Sequence, residues 1–336
     1  MADRSPVTIA VLGAGSWGTA LAILLSRNGA EVKLWSHLQA HVDELQRDEE
    51  NRAFLSGYRF PPGLTPTADL AYALRDVDET LIAVPSHAFA SVLKQSSAIL
   101  SYGSTLSWAT KGLQPGTGEL LHELAERIES IGSTAVISGP SFATEVARGL
   151  PTALTVASRS SDHATRLATY LHSDNFRAYT SNDVIGLEVG GAAKNIMAIA
   201  AGIADGLGFG ANTRAALITR GLAEITRLGL ALGGAPETFM GLGGLGDLVL
   251  TCTDDQSRNR RMGLALARGL SIEQAMQEIG QEVEGVPTTL EIHRKAQALG
   301  VNMPITEQTY RVLYQGLSPK EGVQALLGRS RKQETG

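Results

Sequence analysis

The chain has 336 residues, of which 43% are hydrophobic and 19% are charged, and its formal net charge is −5. This length predicts two domains, and this composition is typical of a globular protein with a sizeable core. The lone Cys252 excludes an intramolecular disulfide and a cysteine-rich metal site, as expected in a reducing cytoplasm, and the negative balance argues against nucleic acid or acidic lipid as a partner.

Residues 9–26, IAVLGAGSWGTALAILLS, carry no charge, which raises the question of a membrane segment. A membrane span of this length would be marginal and would hold three glycines at one end. The preceding MADRS has one acid and one base, and no convincing cleavage site follows, so we expect neither a secretion signal nor a span. The alternative is a buried strand, VTIAVL, followed by a glycine turn and a helix over 16–28.

Short β-branched runs and helical patterns alternate from residue 7 to about residue 179. After the first strand come EVKLWS and a helix over 39–49, and then ETLIAV, STLSWA, TAVIS, TALTVA and FRAYT, with helices over 119–130 and 162–171. This alternation predicts an α/β domain with a Rossmann-like, doubly wound and mostly parallel sheet, covered by helices on both faces.

The β-rich runs stop after residue 181, and the remaining patterns have helical periodicity. Helices are expected over 184–205, 213–232, 258–268, 272–278, 288–298, 306–315 and 319–327. We therefore predict a dinucleotide-binding domain over 1–181 and an all-helical substrate and catalytic domain over 182–336. A cleft between two such domains is the expected ligand site.

The first glycine turn has the pattern Gly13-x-Gly15-x-x-Gly18 between a strand and a helix. In this context Gly13 permits the tight turn, Gly15 lets the backbone approach a pyrophosphate, and Gly18 lets the helix pack close to the strand. The motif predicts dinucleotide binding. The alternative is a glycine-rich packing turn.

The end of the second strand bears on the choice of dinucleotide. NAD-selective loops usually carry an acid about 20 residues beyond the glycines, where it holds the ribose 2′-hydroxyl. Here the sequence reads LWSHLQ, with Ser36 and His37 as possible donors and no carboxylate before Asp43. We expect NADPH to be the preferred cofactor, with NADH as the alternative. His37 and His41 have no third ligand nearby, so no metal site is expected.

Two motifs that follow later strands place polar groups at the carboxyl end of the sheet, where ligands bind in doubly wound folds. SWATKGL turns on Gly112 and would direct Lys111 toward that edge, although a solvated loop lysine is the alternative. ISGPSFATE turns on Gly139, and Ser141 is expected as the N-cap of a short helix.

Lys194 lies in the helical pattern GLEVGGAAKNIMAIAAGIADG, and its neighbours at helical spacing are small or apolar. Burial lowers the pKa of a lysine, which makes it usable as a general acid or base near neutral pH. The alternatives are a lysine whose ammonium reaches solvent and a lysine paired with Glu188.

The block GLGGLGDLVLTCTDDQSRNRRMG combines a buried acid with a basic turn. Asp247 adjoins an apolar run and is expected to have a buried partner, for which a helical lysine is a candidate. Ser257 is the expected N-cap of the next helix, and basic residues follow it where the helix dipole favours acids. Ser257, Arg258 and Asn259 therefore form a candidate phosphate site, with a surface basic cluster as the alternative.

Together, GAGSWGTALA, WATKGL, ISGPSFATE, GGAAKNIMAIAAG, GLGGLGDLVLTCT, SRNRR and VEG make the chain resemble the bacterial NAD(P)-dependent sn-glycerol-3-phosphate dehydrogenase family. The resemblance runs from about residue 8 to residue 327. It implies reversible reduction of dihydroxyacetone phosphate to sn-glycerol 3-phosphate for glycerophospholipid synthesis by a cytoplasmic enzyme that forms a homodimer.

The resemblance also implies residue roles, with Lys194 as the catalytic acid/base group. The substrate contacts it implies are Lys111, Gly139, Ser141, Asp247, Ser257, Arg258 and Asn259. The dinucleotide contacts, with the glycine loop included, are Gly13, Gly15, Ser16, Trp17, Gly18, His37, Lys111, Ala143, Arg258, Glu282 and Glu284. Glu282 stands where relatives more often have an apolar residue.

Two other functions are compatible with parts of the sequence. A dehydrogenase of β-hydroxy acids has a similar domain order but needs a carboxylate site, whereas SRNRR at a helix start favours phosphate. A regulator that senses a dinucleotide without turnover would not need a lysine on an apolar helix face.

Overall fold

The computed structural model of the chain describes residues 6–328. The strands in this part of the chain are β1 Thr8–Leu12, β2 Glu31–Trp35, β3 Glu50–Asn51, β4 Leu55–Arg59, β5 Leu64–Thr67, β6 Glu79–Ile82, β7 Ser104–Trp108, β8 Ile131–Ser138, β9 Thr152–Ala157 and β10 Phe176–Ser181. The first seven helices are α1 Ser16–Arg27, α2 Gln39–Asp48, α3 Leu70–Leu74, α4 Ser86–Ser97, α5 Leu121–Ala125, α6 Ala143–Arg148 and α7 Ser161–Leu171.

The later helices are α8 Val184–Gly206, α9 Ala211–Ala231, α10 Pro236–Met240, α11 Asp247–Thr253, α12 Arg258–Ala267, α13 Ile272–Ile279, α14 Gly285–Ala298, α15 Pro304–Tyr314 and α16 Pro319–Leu327. A π-helical turn at Leu242–Gly246 leads directly into α11. The glycine-dense stretch before Asp247 is therefore helical.

Eight strands form one sheet in the order β10-β9-β8-β7-β6-β1-β2-β5. Neighbouring strands are parallel except β8 and β9, which are antiparallel. Two apolar clusters built around Leu21 and Phe89 cover the sheet. The predicted Rossmann-like doubly wound sheet and the helical half that follows it are confirmed. The carboxyl ends of β1, β6, β7 and β8 meet at one edge, where the chain order reverses between β1 and β6.

Besides α3, β3 and β4, which were not predicted, three features of the first half differ from the sequence predictions. Helix α4 was not predicted, because its buried apolar residues Phe89, Val92 and Leu93 form only a short stripe among serines. The helix expected over 119–130 covers only Leu121–Ala125, and the chain turns out of it after Glu126. Strand β5 was also missed, since it is short and contains Pro66, which a sheet tolerates at its edge.

Helix α8 is the central element of the second half. It is long and apolar enough for a membrane span, but 94% of its most apolar window is buried inside the protein, as in a core helix. Two glycines bring neighbouring elements against it. A Cβ at Gly202 would overlap the backbone of α12 at Arg260, and a Cβ at Gly190 would lie 2.5 Å from the Gly243 oxygen of the π-helical turn. These close approaches position α11 and α12 beside Lys194.

Candidate active site

A cleft of about 420 Å³ lies at the carboxyl edge of the sheet and is lined by both halves of the chain. Its lining includes most of the site residues that the sequence indicates, namely Gly15, Ser16, Trp17, Lys111, Ser141, Ala143, Lys194, Ser257, Arg258, Asn259, Glu282 and Glu284. Gly13, Gly18, His37, Gly139 and Asp247 are outside the lining. The fold therefore brings the glycine loop, the two lysines and the basic turn together at this cleft.

The three glycines of the first turn occupy different environments. Gly13 has a φ of 121°, and a Cβ there would lie 2.6 Å from the Ala83 oxygen after β6. A Cβ at Gly18 would overlap the Gly13 oxygen, so this glycine allows α1 to pack against the turn. A Cβ at Gly15 would meet no atom within 4 Å, because Gly15 faces the cleft.

Alanine substitutions at two of these glycines are expected to separate stability from ligand binding. Gly18→Ala should lower the free energy of unfolding by about 1–3 kcal/mol, since its methyl group overlaps backbone. Gly15→Ala should leave the melting temperature unchanged but weaken dinucleotide binding, since its methyl group enters the cleft. Thermal unfolding and NADPH titration of both variants measure this. Equal effects of the two substitutions on both quantities would contradict the assignment of Gly15 to the cofactor side.

The start of α1 fits a dinucleotide. Helix α1 begins at Ser16 without a side-chain cap on its first amides, which leaves them for an anion. Within residues 6–328 the buried Trp17 Nε1 atom has no acceptor. Asn51 supports the loop by donating to the Ala14 oxygen and to Thr19 Oγ1, each at 2.8 Å. A phosphate or carboxamide oxygen of the dinucleotide would accept from the first amides of α1 and from Trp17 Nε1.

The end of β2 corrects one sequence interpretation. Ser36 is buried, its Oγ lies 3.2 Å from Nδ1 of His41, and it accepts from the Leu38 amide. The hydroxyl thus faces inward, and the expectation that Ser36 donates to a 2′-phosphate is wrong. His37 is exposed beside it. The other ring nitrogen of His41 lies 3.3 Å from Asn51 Oδ1, so both of its nitrogens have partners within the fold.

A buried carboxylate holds two lysines at the cleft. Lys194 Nζ donates to Asp247 Oδ1 and to Thr251 Oγ1, both at 2.6 Å. Lys111 Nζ donates to Asp247 Oδ2 at 2.6 Å and to the Gly139 oxygen at 3.2 Å. The expected pairing of Asp247 with a helical lysine is confirmed. The alternative pairing of Lys194 with Glu188 is wrong, since Glu188 accepts from Trp108 and His122.

The electrostatics of this cluster suit proton transfer. Burial lowers the pKa of Lys194 from 10.5 to about 8; Asp247 opposes this shift and Lys111 adds to it. Burial also disfavours the charge of Asp247, but the two ammoniums outweigh it and hold the pKa of that carboxyl below its usual value. Lys194 can therefore exchange a proton near neutral pH while Asp247 stays ionised. Nearby Cys252 is inert, because burial raises the pKa of its thiol to about 12.

The basic turn starts α12 as the sequence predicts. Ser257 Oγ accepts from the Arg260 amide at 3.2 Å, which makes Ser257 the N-cap. Arg258 lines the cleft, where its Nη1 donates to the neutral Gln281 at 3.4 Å, and burial lowers its pKa against the opposing effect of Glu284. Asn259 donates to Asn195 Oδ1 at 2.9 Å and accepts from the Gly285 amide at 2.8 Å.

After the strands, the predicted N-cap at Ser141 is wrong, and hydrogen bonds join the two halves of the chain. Ser141 does not cap α6, which begins at Ala143 with Phe142 at the N-cap position. The Ser141 hydroxyl donates instead to the Gly139 oxygen at 3.0 Å. Across the cleft, Glu284 accepts from the amide and hydroxyl of Ser86.

Two residues at the Lys194 cluster were not found from the sequence. Thr251 lies four residues after Asp247 on α11 and contacts the same ammonium. Helical spacing within LVLTC would have indicated it, had that run been interpreted as a helix. Asn195 lines the cleft next to Lys194 and connects to Asn259, a contact for which the sequence has no signal.

Comparison with known proteins identifies the family. The family model described as NAD-dependent glycerol-3-phosphate dehydrogenase N-terminus matches residues 8–164, and its C-terminus counterpart matches residues 183–324. The Aeromonas salmonicida protein named glycerol-3-phosphate dehydrogenase (NAD(P)+) is 55% identical over 99% of this chain and 100% of its own length. The Shewanella sediminis protein of the same name is 54% identical over 99% of this chain and 99% of its own length.

A solved structure leads to the same family. The crystal structure of glycerol-3-phosphate dehydrogenase from Coxiella burnetii matches with a TM-score of 0.94 and 49% identity, covering 96% of this chain and 99% of that one. The similarity thus extends over both halves and the cleft between them. The chain belongs to the NAD-dependent glycerol-3-phosphate dehydrogenase family.

Proposed function

We propose that the protein catalyses the reversible NAD(P)H-dependent reduction of dihydroxyacetone phosphate to sn-glycerol 3-phosphate, which supplies glycerophospholipid synthesis. The observation that carries the proposal is the buried Lys194, which lies in one cleft with the glycine loop and the Arg258 turn. A lysine whose pKa is near 8 suits proton transfer to a ketone oxygen. The basic turn suits a substrate phosphate.

In the proposed mechanism, Lys194 gives its proton to the C2 oxygen during reduction and takes it back during oxidation. The dinucleotide, when bound, supplies or accepts the hydride at C2. Asp247 holds both lysines in place at 2.6 Å and stays charged throughout. Lys111 adds positive charge at the carbonyl. Positioning and charge complementarity then provide the catalysis.

The remaining roles complete the binding site. Substrate contacts are proposed for Lys111, Gly139, Ser141, Asp247, Ser257, Arg258 and Asn259. Dinucleotide contacts are proposed for Gly13, Gly15, Ser16, Trp17, Gly18, His37, Lys111, Ala143, Arg258, Glu282 and Glu284. Among these residues, Glu282 has its carboxylate 3.7 Å from Nδ1 of the exposed His87. NADPH as the preferred dinucleotide is supported by His37 and by the lack of an acid at the end of β2.

The proposal extends to the organisation and location of the protein. We place the cofactor domain at 1–181 and the substrate domain at 182–336, supported by the change from strand to helix between Ser181 and Val184. A cytoplasmic homodimer is part of the proposal, and exposed apolar side chains on the helical half, Leu230, Met240 and Val249, support a contact surface. Light scattering should give about twice the 35.4 kDa mass of one chain.

A spectrophotometric assay tests the reaction. Dihydroxyacetone phosphate added to the protein with NADPH is expected to oxidise the cofactor, and NADPH should give a higher kcat/KM than NADH. Dihydroxyacetone, which lacks the phosphate, is the matched control and should react far more slowly. Turnover of β-hydroxy acids with no turnover of dihydroxyacetone phosphate would instead favour the carboxylate-specific alternative. Binding of NADPH without any turnover would favour a regulator.

A further inference from the structure

Arg261 is a cationic residue of the cleft to which the proposed reaction assigns no role. It follows Arg258 by three positions on α12, so the two side chains share a helix face, and both line the cleft. The Arg261 Nε atom is buried, and within residues 6–328 it has no hydrogen-bond acceptor. A buried donor without an acceptor costs free energy, so this position favours a ligand that accepts.

Two other arginines of this segment, Arg260 and Arg268, differ from Arg258 in being neutralised within the fold. Arg260 is buried and donates to Asp205 and to Asp255. Arg268, at the other end of α12, is paired with Glu278 on α13. Arg261 differs from both, since no carboxylate within the described range forms an ion pair with it.

The carboxylates nearest the cleft have other partners. Asp247 holds Lys111 and Lys194. Glu284 accepts two hydrogen bonds from Ser86, and Glu282 lies beside His87. Arg258 and Arg261 thus line the same cleft three residues apart, and the charge of Arg261 opposes that of Arg258, while Glu284 and Glu282 act on Arg258 with the opposite sign. Their mutual repulsion is relieved when an anion binds between or beside them.

We propose that Arg261 is a further phosphate-binding residue, whose guanidinium binds phosphate oxygens beside Arg258. The inference rests on the proposed function, because that reaction brings a phosphorylated substrate and a dinucleotide into the same cleft. A guanidinium presents a planar fork that matches phosphate oxygens, and such charge-assisted pairs are stronger than neutral hydrogen bonds. The phosphate belongs to the triose phosphate or to the dinucleotide, and the two sources are separated by binding measurements.

Calorimetric titration of single ligands tests the proposal. sn-Glycerol 3-phosphate and NADPH are titrated separately into the wild type, Arg261→Gln and the matched control Arg268→Gln. We expect Arg261→Gln to lower the affinity for one of the two ligands by about tenfold or more. Arg268→Gln should lower the affinity for neither ligand. Weaker glycerol 3-phosphate binding assigns Arg261 to the substrate phosphate, and weaker NADPH binding assigns it to the dinucleotide. Unchanged affinity for both ligands overturns the proposal.

Two further measurements keep the result interpretable. Arg261→Lys retains the charge without the planar fork, so it should fold even if Arg261→Gln does not. Its affinity for the affected ligand should lie between those of the wild type and Arg261→Gln. Wild-type affinity of Arg261→Lys for both ligands would count against the proposal. Turnover of dihydroxyacetone phosphate by the wild type is assayed separately. Its absence would refute the proposed reaction, while the binding titrations would still decide the role of Arg261.

Discussion

Lys194→Met is expected to lower kcat for dihydroxyacetone phosphate reduction by about 10²- to 10⁴-fold, the range of general acid–base catalysis. Methionine has nearly the same length as lysine but carries no proton to donate. Its apolar chain suits a position that is only 7% exposed, and Lys111 still neutralises Asp247. Steady-state kinetics measure the loss, and NADPH titration should show that cofactor binding is retained.

Lys94→Met is the matched control, because Lys94 is exposed on α4 and should be replaceable without loss of activity. Thermal unfolding should give similar melting temperatures for both variants and the wild type. A folded Lys194→Met protein with wild-type kcat would show that Lys194 is not the acid/base group. A raised KM with unchanged kcat would assign it to substrate binding alone.

Asp247→Asn is expected to affect stability and the pH dependence of activity together. Removing one partner from a buried ion pair costs about 3–5 kcal/mol, and here two ammoniums lose the same carboxylate. Because Asp247 raises the pKa of Lys194, its loss should take that pKa below about 8. The ammonium needed for reduction then loses its proton at lower pH. In the wild type kcat/KM for reduction should decline above about pH 8, and in the variant the decline should begin earlier.

Denaturant unfolding and the pH profile of kcat/KM measure these two effects. Asp255→Asn serves as the control, since the Asp255 carboxylate is 68% exposed where it contacts Arg260, and such pairs contribute about 0–1 kcal/mol. An Asp247→Asn profile that coincides with the wild-type profile, at reduced stability, would mean that the observed pKa does not belong to Lys194.

Most helices and strands could be predicted from the sequence, because the apolar residues of a buried helix face or strand recur with the spacing of that element. Helix α8 is apolar on nearly every face, and its charged Lys194 stands out in the sequence for that reason. Helix α4 and strand β5 have no comparable pattern. Their positions are decided by contacts across the sheet, such as the pairing of Leu64 with Val32.

Some features of the candidate site could likewise be predicted from the sequence, and others could not. Lys194, Asp247 and Ser257 were found because charge or capping residues interrupt an otherwise apolar or helical pattern. The inward orientation of Ser36 was not found, since the sequence does not show that His41 and Leu38 lie close enough to occupy its hydroxyl. The Glu284 bridge to Ser86 joins residues 198 positions apart, and local sequence carries no signal of such a contact.

The amino-acid sequence specifies the chemical groups of this protein and their local settings. The glycine spacing, the lysine on an apolar helix and the basic helix start are local properties, and each follows from the steric or electrostatic demands of its own segment. Which groups contact one another or line the same cleft depends on tertiary packing. Asp247 binds two lysines from different halves, and Arg261 faces the cleft while its neighbour Arg260 is neutralised, because packing of α11 and α12 on α8 sets these distances.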